Sequence, residues 1–258
     1  MNVLVFDIET IPDVAAGRKI LHLDDTLSDT EVANLMFAKR KEERGSEFLP
    51  IHLHQIAAIS VVFQFNEKFK VCTIGDESSP ESVMVQKFFE AIDKYTPVLV
   101  SWNGGGFDLP VLHYRALKHK IAAPRYWESG DSDSSFKWNN YLSKYHQRHT
   151  DVMDVLASYQ NKCYAPLDEV ATLLGFPGKM GMNGGKVWEA YQAGQIKAIR
   201  DYCETDVLNT YLVYLRYEII RGNLNLNEYE HLTQNLRQYL HNENKAHFSE
   251  FLALWQET

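Results

Sequence analysis

Four acidic residues and one tyrosine carry the side chains of this sequence that are best suited to metal-ion chemistry. Asp7 and Glu9 end an apolar run, Asp108 follows three glycines and a phenylalanine, and Tyr202 and Asp206 bracket the run Tyr-Cys-Glu-Thr-Asp. Carboxylate oxygens are the ligands that Mg²⁺ and Mn²⁺ prefer in proteins. If these five side chains meet in the folded chain, they can hold two divalent cations about 4 Å apart, an arrangement that supports phosphodiester hydrolysis.

Two predicted strands bring three of these carboxylates to one edge of a sheet. Residues 2–8 are almost continuously apolar, which is typical of a buried central strand. Side chains two apart on a strand share a face, so Asp7 and Glu9 lie side by side. Residues 97–102 predict a second buried strand that ends shortly before Asp108. Because open α/β sheets bind ligands beyond the carboxyl ends of their strands, we expect these carboxylates to lie close together.

A long helix is predicted over residues 196–221, where apolar positions recur at helical spacing without internal proline or glycine. Tyr202 and Asp206 are four residues apart, so both project from one face of this helix. Each segment alone also has an ordinary structural explanation. Asp-x-Glu ends many strands, Asp108 before Pro110 could be a helix N-cap, and most Tyr–Asp pairs at this spacing are structural.

Together the three segments resemble, in order and spacing, the three motifs of the DEDD exonucleases. The segments are Asp7-Ile8-Glu9, Asn103 to Asp108, and Tyr202 to Asp206. The resemblance is to the subclass with tyrosine in the third motif, as in the proofreading domain of family-B DNA polymerases; the histidine subclass has its histidine where this chain has Asp201. Over residues 1–220 the chain resembles a bacterial family of stand-alone predicted 3′–5′ exonucleases related to that domain.

The resemblance implies a hydrolase that removes nucleoside 5′-monophosphates from the 3′ end of single-stranded DNA with two Mg²⁺ or Mn²⁺ ions. By this resemblance Asp7 bridges both ions, Glu9 and Asp206 complete the first ion, and Asp108 holds the second through water. Tyr202 orients the attacking water. Because a tyrosine has an ordinary pKa near 10, it is a positioning group rather than a base at neutral pH.

Substrate contacts are expected from several residues near the motifs. The resemblance implies that Asn103, Phe107 and the backbone of Thr10 grip the terminal nucleotides, although Phe107 could equally be a core residue. Lys179 and Lys186 flank a glycine-rich loop suited to holding a phosphate. Two other functions stay open: a 3′–5′ exoribonuclease on the same scaffold, and a non-catalytic nucleic-acid-binding module. The competent residues at all five motif positions count against the second.

The order of the predicted elements indicates an α/β protein with a ribonuclease-H-like, three-layer fold, in which helices flank a mixed five-stranded sheet. Residues 55–65 and 69–74 predict a β-hairpin, and residues 150–155 predict a short strand.

We expect one exonuclease domain over residues 1–221, with a helical insertion at 13–49 that contains a helix at 28–44. Residues 222–258 are expected to be a helical extension of the same domain. The insertion or the C-terminal helices could bind a partner protein.

Composition is ordinary for a globular protein: 45% of the 258 residues are hydrophobic. The net charge of −8 argues against coating nucleic acid by long-range attraction, but four of the acids belong to the proposed metal centre. We find no apolar run of transmembrane length and no signal-like N-terminus, and we expect no membrane association. Three widely spaced cysteines favour reduced thiols and a cytoplasmic location.

Some polar residues near the motifs have more than one explanation. Asp151, Asp154 and Asp168 could reach the site or could simply end strands and cap helices. His54 could be a ligand, but it is expected rather to be solvated or to cap an element. Cys203, beside Tyr202, is expected to be a core residue that points away from the site.

Overall fold

A mixed five-stranded sheet forms the centre of the computed structural model, which describes residues 2–256. The strands are Asn2–Pro12 (β1), His54–Phe65 (β2), Lys68–Thr73 (β3), Val98–Ser101 (β4) and His149–Asp151 (β5). They lie in the order β3-β2-β1-β4-β5. β2 is antiparallel to β1 and β3, whereas β1, β4 and β5 run parallel. The predicted sheet is therefore confirmed.

Helices cover both faces of the sheet. They are Val14–Ile20 (α1), Asp29–Arg44 (α2), Glu81–Tyr95 (α3), Asp108–His119 (α4), Val152–Leu156 (α5), Leu167–Leu173 (α6), Val187–Gln192 (α7), Ile196–Ile220 (α8), Leu226–Glu243 (α9) and Ala246–Leu254 (α10). Short 3₁₀ turns occur at Ile51–Leu53, Ser134–Phe136, Asn161–Cys163 and Gly184–Lys186. Within residues 2–256, none of the helices combines the length and apolar character that a membrane span requires.

Alternate side chains of β1 enter two different cores. Val3 and Val5 pack with residues of α8, α9 and α10, whereas Leu4 and Phe6 pack with residues of α3 and α4. Burial on both faces explains why this strand reads as a continuous apolar run. Because side chains alternate along a strand, Asp7 shares the face of Val3 and Val5, which is the face that α8 covers.

One predicted strand is wrong over most of its length. The sequence predicts a strand over residues 150–155, but β5 ends at Asp151 and α5 begins at Val152. The side chain of Asp151 accepts a hydrogen bond from the backbone N–H of Asp154 at 3.4 Å. An aspartate that caps a helix N-terminus in this way favours the helix over a longer strand.

The insertion between β1 and β2 consists of α1, α2 and the segment that follows. The helix predicted at residues 28–44 is present as α2, which begins at a capping box of Ser28 and Glu31. Helix α1 was not predicted. Four buried side chains form a small core within and beneath the insertion: Val32, Met36, Leu49 and Leu53.

Buried ion pairs fix the start of the insertion to helix α4, which is paired in turn with α3. Arg115 of α4 donates hydrogen bonds to Asp13 and to Glu81, each at 2.5 Å. Lys118 also donates to Asp13, at 2.6 Å. Because these charges are paired and hydrogen-bonded, their burial is tolerated, whereas removal of one partner would leave a charge uncompensated. The insertion therefore has a defined position at the carboxyl end of β1.

Candidate active site

The carboxyl end of β1 places Asp7 and Glu9 under α8. Glu9 is buried and Asp7 is half-buried. A ligand atom from each carboxylate and the thiol of Cys203 all lie within 4.8 Å of one another. The pairing of β1 with β2 shifts register between Glu9 and Thr10. Such β-bulges often lie beside functional sites, where they re-aim side chains.

Asp108 extends from the start of α4 towards the same end of β1. The N-cap of α4 is Phe107, which makes no side-chain capping bond. Oδ1 of Asp108 instead accepts a hydrogen bond from the backbone N–H of Ile8 at 3.1 Å. Because Ile8 lies between Asp7 and Glu9, this bond holds the Asp108 carboxylate beside theirs.

The glycine loop before Asp108 is held by a carboxylate and by close packing. Asp151 accepts hydrogen bonds from the backbone N–H groups of Asn103 at 2.9 Å and of Gly105 at 2.8 Å. A Cβ atom at Gly104 would lie 2.3 Å from the hydroxyl of Ser101, so only glycine fits there. Asp151 therefore positions this loop, a role that the sequence had left open.

Helix α8 supplies Tyr202 and Asp206 from one face, as their spacing predicts. Tyr202 is buried, and its hydroxyl lies close enough to the Asp206 carboxylate to lower the pKa of that carboxyl. Burial and then repulsion by Asp206 and Glu9 raise the pKa of Tyr202 well above its ordinary value. The phenol therefore stays protonated at neutral pH and acts as a hydrogen-bond donor.

Burial and mutual repulsion make the four carboxylates difficult to ionise. Burial is the largest cause for each, and it raises the pKa of Asp108 to about 7 and that of Asp206 to about 6. The pKa values of Asp7 and Glu9 are raised well above the ordinary range, since the other carboxylates of the cluster add repulsion. Lys179 opposes these shifts at Glu9 and Asp206. A concentration of hard oxygen donors with so little compensating charge fits divalent cations of the Mg²⁺ type.

Cys203 contacts this cluster, contrary to the expectation that it points away. It is buried with Ile11 and Ile199, as a core residue would be. Its thiol also lies 3.5 Å from both the backbone oxygen and Oδ2 of Asp7. The sequence did not indicate this contact, because α8 is buried almost all round and residues next to Tyr202 also face the sheet.

Thr10 and Phe107 lie beside the carboxylates and share a neighbour, His54. His54 is buried rather than solvated, and it is the C-cap residue of the 3₁₀ turn Ile51–Leu53. Its Nδ1 lies 2.9 Å from the Thr10 hydroxyl, and its ring meets Phe107 edge-on at 5.1 Å between centroids. Phe107 is half-buried. It therefore packs against the protein while part of its ring stays accessible.

The remaining substrate candidates differ in their distance from the cluster. Lys179 is close enough to Glu9 and Asp206 to lower the pKa of both carboxyls. Asn103 is exposed at the start of the glycine loop. A small cavity of about 170 Å³ is lined by Tyr202, Asp206, Lys179 and Asp168. This cavity gives a water molecule room beside the Tyr202–Asp206 pair.

Comparison with solved structures shows the fold. The chain is similar to the family B DNA polymerase from the hyperthermophilic archaeon Pyrobaculum calidifontis, with a TM-score of 0.50 and 17% sequence identity. The similarity covers 85% of this chain but only 24% of the polymerase chain. It supports the ribonuclease-H-like architecture that the sequence predicted. A search of curated proteins finds no match.

A family model matches residues 46–255, which include Asp108, Tyr202 and Asp206 but not the first motif at Asp7 and Glu9. In the structure these two residues lie on β1, next to the matched region in the sheet. The family is described as a predicted 3′–5′ exonuclease related to the exonuclease domain of PolB. The chain belongs to this family of predicted 3′–5′ exonucleases.

Proposed function

We propose that this protein is a divalent-metal-dependent 3′–5′ exonuclease that hydrolyses single-stranded nucleic acid, with DNA favoured over RNA, and releases nucleoside 5′-monophosphates. The observation that carries the proposal is the convergence of Asp7, Glu9, Asp108 and Asp206 from three separate elements. Ordinary strand ends and helix caps do not require four carboxylates to be brought together against their mutual repulsion.

The four carboxylates would hold two Mg²⁺ or Mn²⁺ ions. When bound, such ions lower the pKa of water and stabilise the negative charge that develops on a leaving 3′ oxygen. The raised pKa values of the carboxyls support this assignment, because a neighbouring cation favours their ionised forms.

The side chains around the cluster position the reactants. Tyr202 stays protonated, and its hydroxyl, which lies beside Asp206, aims the attacking water in the adjoining cavity. Lys179 provides positive charge for a phosphate of the strand. Thr10, Phe107 and Asn103 grip the terminal nucleotides.

We also infer that residues 222–258 extend the catalytic domain rather than form a second one. Side chains of α9 and α10, such as Leu236 and Phe251, are buried in the same core as Leu208 and Leu212 of α8. Because this extension completes the core over α8, we expect the exonuclease domain at residues 1–221 to require it.

Digestion of end-labelled strands tests the proposed function. We expect wild-type protein with Mg²⁺ or Mn²⁺ to shorten 5′-labelled single-stranded DNA stepwise from its 3′ end, and RNA more slowly. Chelation of the metal should stop the reaction. Asp7→Ala should abolish cleavage while circular dichroism shows an intact fold, because this variant removes a ligand at the centre of the cluster.

Full activity of Asp7→Ala would contradict the proposal, and so would metal-independent cleavage by the wild type. A 3′-labelled strand should release its label as a mononucleotide in the first step; release of longer fragments would indicate an endonuclease instead.

A further inference from the structure

A cavity of about 830 Å³ begins at Glu9 and Thr10. The insertion supplies one wall, through Phe37 of α2 and residues 46–49, and α7 supplies another wall, which includes Trp188. Gln192 at the end of α7 donates a hydrogen bond to Thr30 in α2, so these two walls are joined at one point. The cavity volume lies within the range of about 300–1,000 Å³ that is usual for small-ligand sites.

The charges of the cavity do not fit a phosphate. Glu9, Glu47 and Glu189 line it, and no lysine or arginine is among the described residues that do so. His54 also lines the cavity, and its burial lowers its pKa, which keeps the ring neutral at pH 7. Lys179 lines a different cavity, which Asp206 of α8 also lines. A strand whose phosphates lie towards Lys179 would therefore place an uncharged group in the larger cavity.

Three rings form an aromatic wall in this cavity: Phe48, His54 and Phe107. Phe48 lies 5.1 Å from His54 and 5.6 Å from Phe107 between ring centroids. Its side chain is 56% exposed even though it packs against both rings. Arg40 of α2 donates a hydrogen bond to the backbone oxygen of Phe48 at 2.9 Å, which fixes the backbone of Phe48 to α2. A half-exposed aromatic ring held in this way is suited to stack on a nucleobase.

The hydrogen bonds of His54 determine what Thr10 can bind. Nε2 of His54 lies 3.1 Å from the backbone oxygen of Leu49, which can only accept, so Nε2 carries the proton. In the neutral ring Nδ1 is then an acceptor, and the Thr10 hydroxyl donates to it. The oxygen of Thr10 is left with acceptor capacity only. Together with the Glu9 carboxylate, it matches a hydroxyl donor such as the one on a sugar.

We propose that the cavity lined by the insertion receives the uncharged terminal nucleoside of a strand with a free 3′-hydroxyl, and that Phe48 of the insertion stacks on its base. This inference rests on the proposed nuclease function and assigns the insertion a role in selecting the strand end. It predicts that strands ending in a 3′-phosphate are poor substrates, since that group would face Glu9 and acceptor oxygens.

Steady-state cleavage with matched strands tests this proposal. The two 5′-labelled single strands differ only in their 3′-terminal nucleotide, which carries a base or lacks one. For Phe48→Ala we expect KM for the normal strand to rise roughly ten- to a hundred-fold, the range that loss of one stacked base implies, with kcat within about threefold. For the wild type, the strand that lacks the terminal base should have a KM raised by a similar factor. For Phe48→Ala, loss of the base should raise KM little further.

Phe65→Ala is the matched control, because Phe65 is 45% exposed and lines a different cavity. It should behave like the wild type with both strands. Phe48→Leu keeps apolar packing against Phe107 without an aromatic face, and should show the same KM defect as Phe48→Ala. This second variant decides the question if thermal melting shows that Phe48→Ala is unfolded.

The outcomes separate this inference from the proposed function. The role of Phe48 is overturned if Phe48→Leu still cleaves in a metal-dependent way, its KM is unchanged, and loss of the terminal base raises its KM as much as in the wild type. Equal cleavage of 3′-phosphate and 3′-hydroxyl ends overturns the uncharged-end assignment. No cleavage by the wild type under any condition overturns the proposed function, and this inference with it.

Discussion

Without a bound cation, the four clustered carboxylates lower the stability of the folded chain; they belong to Asp7, Glu9, Asp108 and Asp206. Their side chains are at least partly buried, and burial is the main cause that raises the pKa of each. The side chains that share a face within one segment could be predicted, because the two-residue period of a strand and the i, i+4 spacing of a helix fix them. That the three segments meet was implied by the strand ends and by the family resemblance.

Other contacts of the site could not be predicted from local spacing. Cys203 reaches Asp7, and His54 reaches Thr10, across elements that are far apart in sequence. No periodic pattern indicates such a pair, since the contact depends on how helix and strand dock. These residues were accordingly assigned to the core or to solvent from the sequence.

Tyr202→Phe tests the role of the phenol hydroxyl. The variant keeps the ring and its packing but removes the hydroxyl that lies beside Asp206. Loss of one aimed hydrogen bond should slow single-turnover cleavage at saturating Mn²⁺ by roughly ten- to a thousand-fold, with little change in substrate affinity. Tyr217→Phe on the same helix is the control and should retain the wild-type rate. Equal rates for all three proteins would mean that Tyr202 only fills the core.

At the level of elements, long periodic segments were predicted well and short ones were not. Helices α2 and α8 agree closely with their sequence patterns, but for different reasons. A capping box and a left-handed glycine mark the two ends of α2, whereas α8 is defined by many apolar positions over 25 residues. The three-residue strand β5 and the five-residue helix α5 carry too few residues to show a period. There the Asp151 cap decided the boundary, and its side chain also holds the glycine loop.

The glycine loop between β4 and α4 is predicted to be sensitive to the smallest substitution. In Gly104→Ala the new Cβ would lie 2.3 Å from the Ser101 hydroxyl. Ser101 is buried and hydrogen-bonded to His149 at 2.8 Å, so it cannot move away freely. We expect a loss of roughly 1–3 kcal/mol in the free energy of unfolding by denaturant, the usual cost of overpacking.

Gly184→Ala is the control for this loss, because nothing lies within 4 Å of a Cβ atom built there. Its free energy of unfolding should stay within about 0.5 kcal/mol of the wild type. If Gly104→Ala is equally stable, the close packing of the loop is not what fixes the position of Asp108.

For the whole molecule, contacts between distant segments build the environment of the site. The C-terminal extension is fastened to α8 by Glu204, which accepts hydrogen bonds from Lys245 and His247, each at 2.8 Å. The cavity beside Glu9 needs the insertion and α7, which approach each other only in the folded chain. The sequence predicts an insertion and a C-terminal extension, but it could not say what either one contacts.

The carboxylate cluster should make the metal-free protein less stable as pH rises. An unfolded aspartate ionises near pH 4, whereas the pKa of Asp206 is about 6 and that of Asp108 about 7 in the fold. The folded state therefore binds more protons, and the stability that these groups contribute is present below pH 4 and is lost as pH rises through 7. His113 and His149, whose pKa values burial lowers to about 4, act in the opposite direction.

Asp108→Asn separates the two effects, because both histidines remain in the variant. The asparagine can still accept the hydrogen bond from Ile8 but cannot ionise. With a chelator present, the free energy of unfolding of Asp108→Asn minus that of the wild type should increase steadily between pH 4.5 and 8, reaching a few kcal/mol. Saturating Mn²⁺ should reverse the order at pH 8, since a bound cation stabilises only a complete carboxylate set. A difference that is flat with pH would show that burial of Asp108 carries no electrostatic cost, and the raised pKa values would no longer support a cation at this cluster.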